Sequence, residues 1–203
     1  PTKYDFAFPL VARSGTGRTV YAPISRQFSG ENWLELVNTL GQKVQAALEI
    51  IGPDGSLLNS SEIPLPAFSQ RHVYLNEFLA PESSGTVKIS CRTVNSIIAQ
   101  TMFYFRDIET GSIEAMYGAE ARETLGRIAF GSYNRFLGME NWLRVANNGN
   151  ATGQLQLIVN SQGGSLEEVL TLAPGSMVVL PLHDTARFLT SPDTYGTVEL
   201  RVT

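Results

Sequence analysis

The chain has 203 residues, 43 % hydrophobic and 17 % charged, with a net charge of -4. That composition belongs to a chain with a real hydrophobic core, and a mildly acidic balance without clustered Lys and Arg speaks against nucleic acid or anionic lipid as a partner. The lone cysteine, Cys91, excludes an intrachain disulfide and a cysteine-based zinc site, and no apolar run reaches the roughly 18 residues of a membrane helix.

Read from the amino end, Phe6, Phe8 and Leu10 alternate with other residues and predict a strand over 6–12. A Ser-Gly-Thr-Gly turn at 14–17 follows, then period-two strands over 19–24, 33–38 and 44–51. Pro53-Asp54-Gly55 turns the chain into strands over 57–63, 70–75, 86–91 and 97–106. Cys91 sits within such an alternating stretch and reads as a small buried hydrophobe. Segments 76–79 and 184–189 each read as a single helical turn crossing between sheets.

The strongest signal is internal. Residues 17–57 align without a gap on 126–166 at an offset of 109, with 13 identities in 41 positions. The longest match sets Glu31-Asn32-Trp33-Leu34 on Glu140-Asn141-Trp142-Leu143, and Arg26, Asn38, Gln45 and Leu48 recur as Arg135, Asn147, Gln154 and Leu157. After small insertions the register returns, with Gly85-Thr86-Val87 on Gly196-Thr197-Val198. A period this long is a duplicated domain rather than a solenoid, so two β-sandwich modules are expected over 1–108 and 109–203. Ile113, Met116, Tyr117, Ala121 and Leu125 recur at helical spacing, yet their place in the repeat is that of 6–11, and a strand is expected there. The cores are expected from Leu34, Leu36, Leu48 and Ile50 and from Leu143, Val145, Leu157 and Val159.

Catalytic residues are hard to place. His72 and His183 fall at non-equivalent positions of the repeat, and His183-Asp184 lacks a nucleophile elbow. Glu167-Glu168 and Asp107/Glu109 lie in a strand pattern and a polar turn, and the Ser14 to Gly17 loop lacks the Lys-Ser/Thr ending of a phosphate loop. No catalytic residue, metal ligand or cofactor is therefore expected, and no carboxylate spacing matches an EF-hand. Trp33 and Trp142 are the only tryptophans and occupy the same repeat position, on the strand face opposite Leu34 and Leu143. They are the candidate binding residues, by structural packing, by stacking on a sugar ring or by contact with another chain.

Asn-Trp-Leu, the strands ending at Asn38 and Asn147, Leu-Ala-Pro-Gly at 172–175 and Tyr-Gly-Thr-Val at 195–198 resemble tandem immunoglobulin-like repeats of bacterial surface proteins. The resemblance implies a Greek-key all-β fold and a non-enzymatic stalk, fibre or adhesin scaffold at the cell surface or outside it, whose partners are other protein chains or glycans. A carbohydrate-binding module is the alternative and a hydrolase the remote one. No signal peptide is expected within the chain. One asymmetry remains: the run over 97–106 has no counterpart in the second copy. The second sandwich is thus expected to lack its last strand, to be completed by further chain or by exchange with the alternating Phe6, Phe8 and Leu10 of a neighbour.

Overall fold

The computed structural model describes residues 15, 17–107, 109–124 and 126–203, which are nearly all β. The described residues divide into two compact units, one of residues up to 50 with 57–123 and one of residues 51–56 with those from 124 onward.

In the first unit the strands are β1 (Thr19–Ser25), β2 (Glu31–Asn38), β3 (Val44–Ile51), β4 (Leu57–Leu65), β5 (Gln70–Tyr74), β6 (Ser84–Cys91), β7 (Ile97–Arg106) and β8 (Ile113–Glu120). They form two four-stranded sheets of order β1-β6-β3-β4 and β5-β2-β7-β8, as in a β-sandwich. One cluster fills the space between them, with Val20, Ala22, Ile24, Leu48, Val87 and Ile89 from one sheet and Leu34, Leu36, Ile97 and Ala99 from the other. Alternation explains the assignment: β2 reads half-buried, buried along its whole length, as a strand with one face on a core must. Thr101 on β7 ties the layers by donating its hydroxyl to the Pro23 carbonyl at 2.8 Å. Cys91 is buried as expected, with the Ser96 hydroxyl 3.1 Å from its sulfur.

The second unit holds β9 (Ile128–Asn134), β10 (Trp142–Ala146), β11 (Gly153–Ser161), β12 (Gly164–Leu172), β13 (Met177–Pro181), a one-turn helix α1 (Thr185–Phe188) and β14 (Tyr195–Val202). Its sheet β12-β11-β14-β9 follows, strand for strand under the sequence offset, the order of β4-β3-β6-β1, while β10 pairs with β13 in a two-stranded sheet. Leu157, Val159, Leu170, Leu180, Leu182, Phe188 and Val198 form its core. Gly196 must be glycine here, since a Cβ would lie 2.0 Å from the Asn160 carbonyl and 2.6 Å from the Tyr133 ring.

Three expectations need correction. The boundary at 108/109 falls too early, because β8 pairs with β7 over Gln100↔Glu120 to Arg106↔Ile113 and so belongs to the first unit. Segment 76–79 is a turn closed by Phe78 N–H to the Leu75 carbonyl at 3.1 Å, whereas 184–189 does contain the helix α1. The cause is the first side chain. Asp184 turns its carboxylate onto the Ala186 and Arg187 amides as an N-cap, whereas Asn76 points inward, accepting from Asn32 N–H at 2.8 Å and donating to the Gly30 carbonyl at 2.8 Å. Leu143 is half-buried rather than core, although Leu34, Leu36, Leu48, Ile50, Val145, Leu157 and Val159 are all buried.

Candidate functional site

Trp33 lies on the outer face of the β5-β2-β7-β8 sheet, where register places it between Tyr74 of β5 and Met102 of β7. Its indole meets the Tyr74 ring at 4.8 Å with a 47° tilt, and both rings keep part of their surface in water while Met102 is covered. The next row of that face is polar. Glu35 stands between His72 and Gln100, accepting from Gln100 Nε2 at 2.6 Å, with His72 Nε2 3.7 Å away and itself 2.7 Å from the Gln70 amide. On the other side of the aromatic row, Glu31 pairs with Arg106 at 3.2 Å. Tyr104 lies opposite Glu31, its hydroxyl held above its ordinary range by burial and then by the Glu35 charge, so it remains a hydrogen-bond donor. An aromatic strip flanked by amide, hydroxyl and carboxylate groups is chemically suited to the apolar face and the hydroxyl rim of a sugar ring.

Trp142 has a different setting. Its cross-strand neighbour is Pro181, and its ring meets the His183 imidazole edge-on at 4.7 Å. His183 is itself engaged, with Nδ1 3.2 Å from the Asn141 carbonyl, a contact the ring fills only as a donor. The two tryptophans share a repeat position without sharing a site. Tyr74 was the residue missed from sequence, because nothing marked it until the β2–β5 register set it beside Trp33.

Phe6, Phe8 and Leu10, the strand-exchange candidates, lie outside the described residues. Three of the acidic candidates, Asp107, Glu167 and Glu168, are held in local structure. Asp107 accepts from the Glu109 and Thr110 amides at 2.9 and 2.6 Å, Glu167 from Gln156 at 2.7 Å, and Glu168 pairs with Arg187 at 2.6 Å. Asp184, next to His183, is the helix cap, its carboxylate accepting from the Ala186 and Arg187 amides at 3.1 and 3.2 Å. Among the described residues no three His, Cys, Asp or Glu side chains cluster as metal ligands would, and no helix is long and apolar enough to cross a membrane.

Polar side chains that do recur between the units bind backbone. Arg26 Nη1 donates to the Leu79 and Asn76 carbonyls at 2.9 and 3.3 Å, and Arg135 Nη1 to those of Thr190, at 3.0 Å, and His183. Asn38 Nδ2 donates to the Gln42 and Leu65 carbonyls at 2.8 and 3.2 Å, and Asn147 Nδ2 to those of Ala151 and Leu172 at 2.8 and 2.9 Å. Asn32 and Asn141 accept from the Ser25 and Asn134 amides at 3.0 and 3.1 Å. Even the turn before β2 and β10 recurs, with Phe28 at φ 56° and Leu137 at φ 55° inside matching 3-10 turns.

No family model matches the sequence, and no curated protein matches it. Among solved structures the chain is similar to a β-glucuronidase from glycoside hydrolase family 2, at 8 % identity and a TM-score of 0.23, covering 92 % of this chain. It spans 20 % of that enzyme's length. A likeness so distant bears on neither fold nor activity.

Proposed function

We propose that the chain is a non-enzymatic structural or adhesive element of a bacterial surface or extracellular assembly, built from two immunoglobulin-like sandwich modules that arose by duplication. One observation carries this reading: what recurs between the units is scaffold. Arg26/Arg135, Asn32/Asn141 and Asn38/Asn147 brace backbone at equivalent loops. The groups with chemical reactivity do not recur, since His72 and His183 sit at different repeat positions. Selection for a reaction keeps a constellation of side chains, whereas selection for a spacer keeps turns and cores. The test is self-association of the intact chain, followed by light scattering and electron microscopy across concentration. Filaments or discrete oligomers support the reading. A chain that stays monomeric at millimolar concentration and adheres to no cell or matrix surface refutes it.

A second reading is favoured by the Trp33–Tyr74 pair and its polar rim: a glycan-binding face on the first unit. Glycan-array binding lost in Trp33→Ala and kept in Trp142→Ala would establish it, because Trp33 pairs across the strands with Tyr74 whereas Trp142 pairs with Pro181. Binding lost equally in both variants, or in neither, would remove it.

A further inference from the structure

We infer that the Trp33–Tyr74 face of the first unit takes a cationic amino sugar, a pyranose whose ring carries a free amine, with the ring on Trp33 and the ammonium group on Glu35. The inference rests on the glycan-binding reading above and adds to it the charge of the ligand.

The register of the β5-β2-β7-β8 sheet sets out this face in rows. The aromatic row runs Tyr74, Trp33, Met102 and Gly118, and the row beside it runs His72, Glu35, Gln100 and Glu120. Met102 is buried and Gly118 adds no side chain, so the side-chain surface that the aromatic row shows to water belongs to the two rings. Trp33 and Glu35 are same-face neighbours on β2, about 7 Å apart along the strand. A pyranose lying with its apolar face on the indole therefore presents a ring substituent to the Glu35 carboxylate.

Charge selects the substituent. Glu31 and Glu120, which share this face, each have a guanidinium partner, Arg106 at 3.2 Å and Arg122 at 2.9 Å. Glu35 is held differently. Gln100 Nε2 donates to it at 2.6 Å, which fixes the carboxylate without neutralising it, and among the described residues the basic group facing it is His72 Nε2 at 3.7 Å. That nitrogen lies 2.7 Å from Gln70 Nε2, and an amide nitrogen can only donate, so in this arrangement the imidazole nitrogen accepts and offers Glu35 no proton. The Glu35 side chain keeps 20 % of its surface in water. A carboxylate that is positioned, partly desolvated and short of a cation is where an ammonium group gains most, because a charge-assisted bond is roughly twice as strong as one to a neutral hydroxyl. The indole face attracts the same charge, and a carboxylated sugar would be repelled.

The second unit supplies the contrast. Arg144 stands at the repeat position of Glu35, and Trp142 has Pro181 across the strands where Trp33 has Tyr74. The duplicated tryptophan is thus kept with the opposite charge two residues further along, and the preference for a cation belongs to the first unit.

The probes are linear β-linked tetrasaccharides of glucosamine, N-acetylglucosamine and glucose, titrated into the intact chain by calorimetry near neutral pH, with the fold of each variant checked by its thermal midpoint. The glucosamine oligomer is expected to bind at least about tenfold more tightly than the glucose oligomer, and the difference to shrink as salt is added. Glu35→Gln, which keeps the shape of the side chain, should bring the two to equal affinity. Glu35→Arg, which gives the first unit the charge found in the second, should drop the glucosamine oligomer below the glucose one. Trp33→Ala should abolish binding of both. Equal affinity for the glucosamine and glucose oligomers in the unaltered chain, tighter binding of the N-acetylated oligomer, or a preference that survives Glu35→Gln overturns the inference and leaves the glycan-binding reading standing. Binding of none of the three, or binding undiminished by Trp33→Ala, overturns both.

Discussion

β1 and β9 occupy the same place in the repeat and the same edge of the same sheet order, yet β1 alternates half-buried with buried residues and β9 leaves Tyr133 as its sole buried side chain. Their inward residues follow suit: Val20, Ala22 and Ile24 on β1, and Ala129, Gly131 and Tyr133 on β9. A strand's burial is set by what lies across from it, and β1 has β7 opposite. β2 is bonded to β5 and β7, and Leu34 on it is buried, whereas Leu143 on β10, which is bonded to β13, is half-buried.

If this contrast is real, equivalent substitutions must have unequal effects. The largest gap is expected between Leu34→Ala and Leu143→Ala: the fully buried leucine should cost about 2–5 kcal/mol and its half-buried counterpart less than half of that, by denaturant unfolding. Equal losses would break the comparison. Asn32→Ala follows, because it removes a buried amide that serves the Ser25 N–H and the Met102 carbonyl, at roughly 1–3 kcal/mol per group left unsatisfied. Asn141→Ala should cost less, since water reaches its partners in the loop. Smaller still, and opposite in sign, are Ala22→Leu, expected to destabilise by about 1–3 kcal/mol through overpacking, and Gly131→Ala, expected to stabilise by about 0.4–1 kcal/mol by restricting the unfolded chain. The smallest effect is a pH dependence confined to the β7–β8 turn. Amide bonds from Thr110 hold the Asp107 carboxyl below its ordinary range, so its contribution is present above the unfolded pKa and fades as pH falls through the folded one. Amide-exchange protection factors at Glu109, Thr110 and Gly111 should fall on acidification below pH of about 4, and Asp107→Asn should remove that dependence.

Much of this fold was legible because period-two alternation and the repeat reported the same thing independently. Strands expected at 44–51 and 97–106 appear at those bounds, and β8 replaces a tempting helical spacing because its repeat position argued for a strand. Pairing partners were not legible. Nothing local in Ile113 to Glu120 tells that it closes the first unit rather than opening the second, since that depends on β7, which precedes it by a polar turn. Nor could alternation foresee that Leu143 would be half-exposed: its own strand has the right pattern, and burial depends also on what the rest of the fold lays over it. Trp33 was identifiable as a candidate by its repetition, but its partner Tyr74 became visible only through cross-strand register.

Cys91 offers a clock for one half of this molecule. It is the sole thiol in the sequence, lies at 8 % exposure in the first unit's core and contacts the Ser96 hydroxyl. A thiol reagent therefore reacts only from states in which β6 has opened, and in the fast-reclosing regime the labelling rate measures the opening equilibrium. The clock is blind to the second unit. A ligand or strand that stiffens β9 and β10 without slowing the labelling of Cys91 acts on that unit alone, and one that slows it couples the two halves energetically.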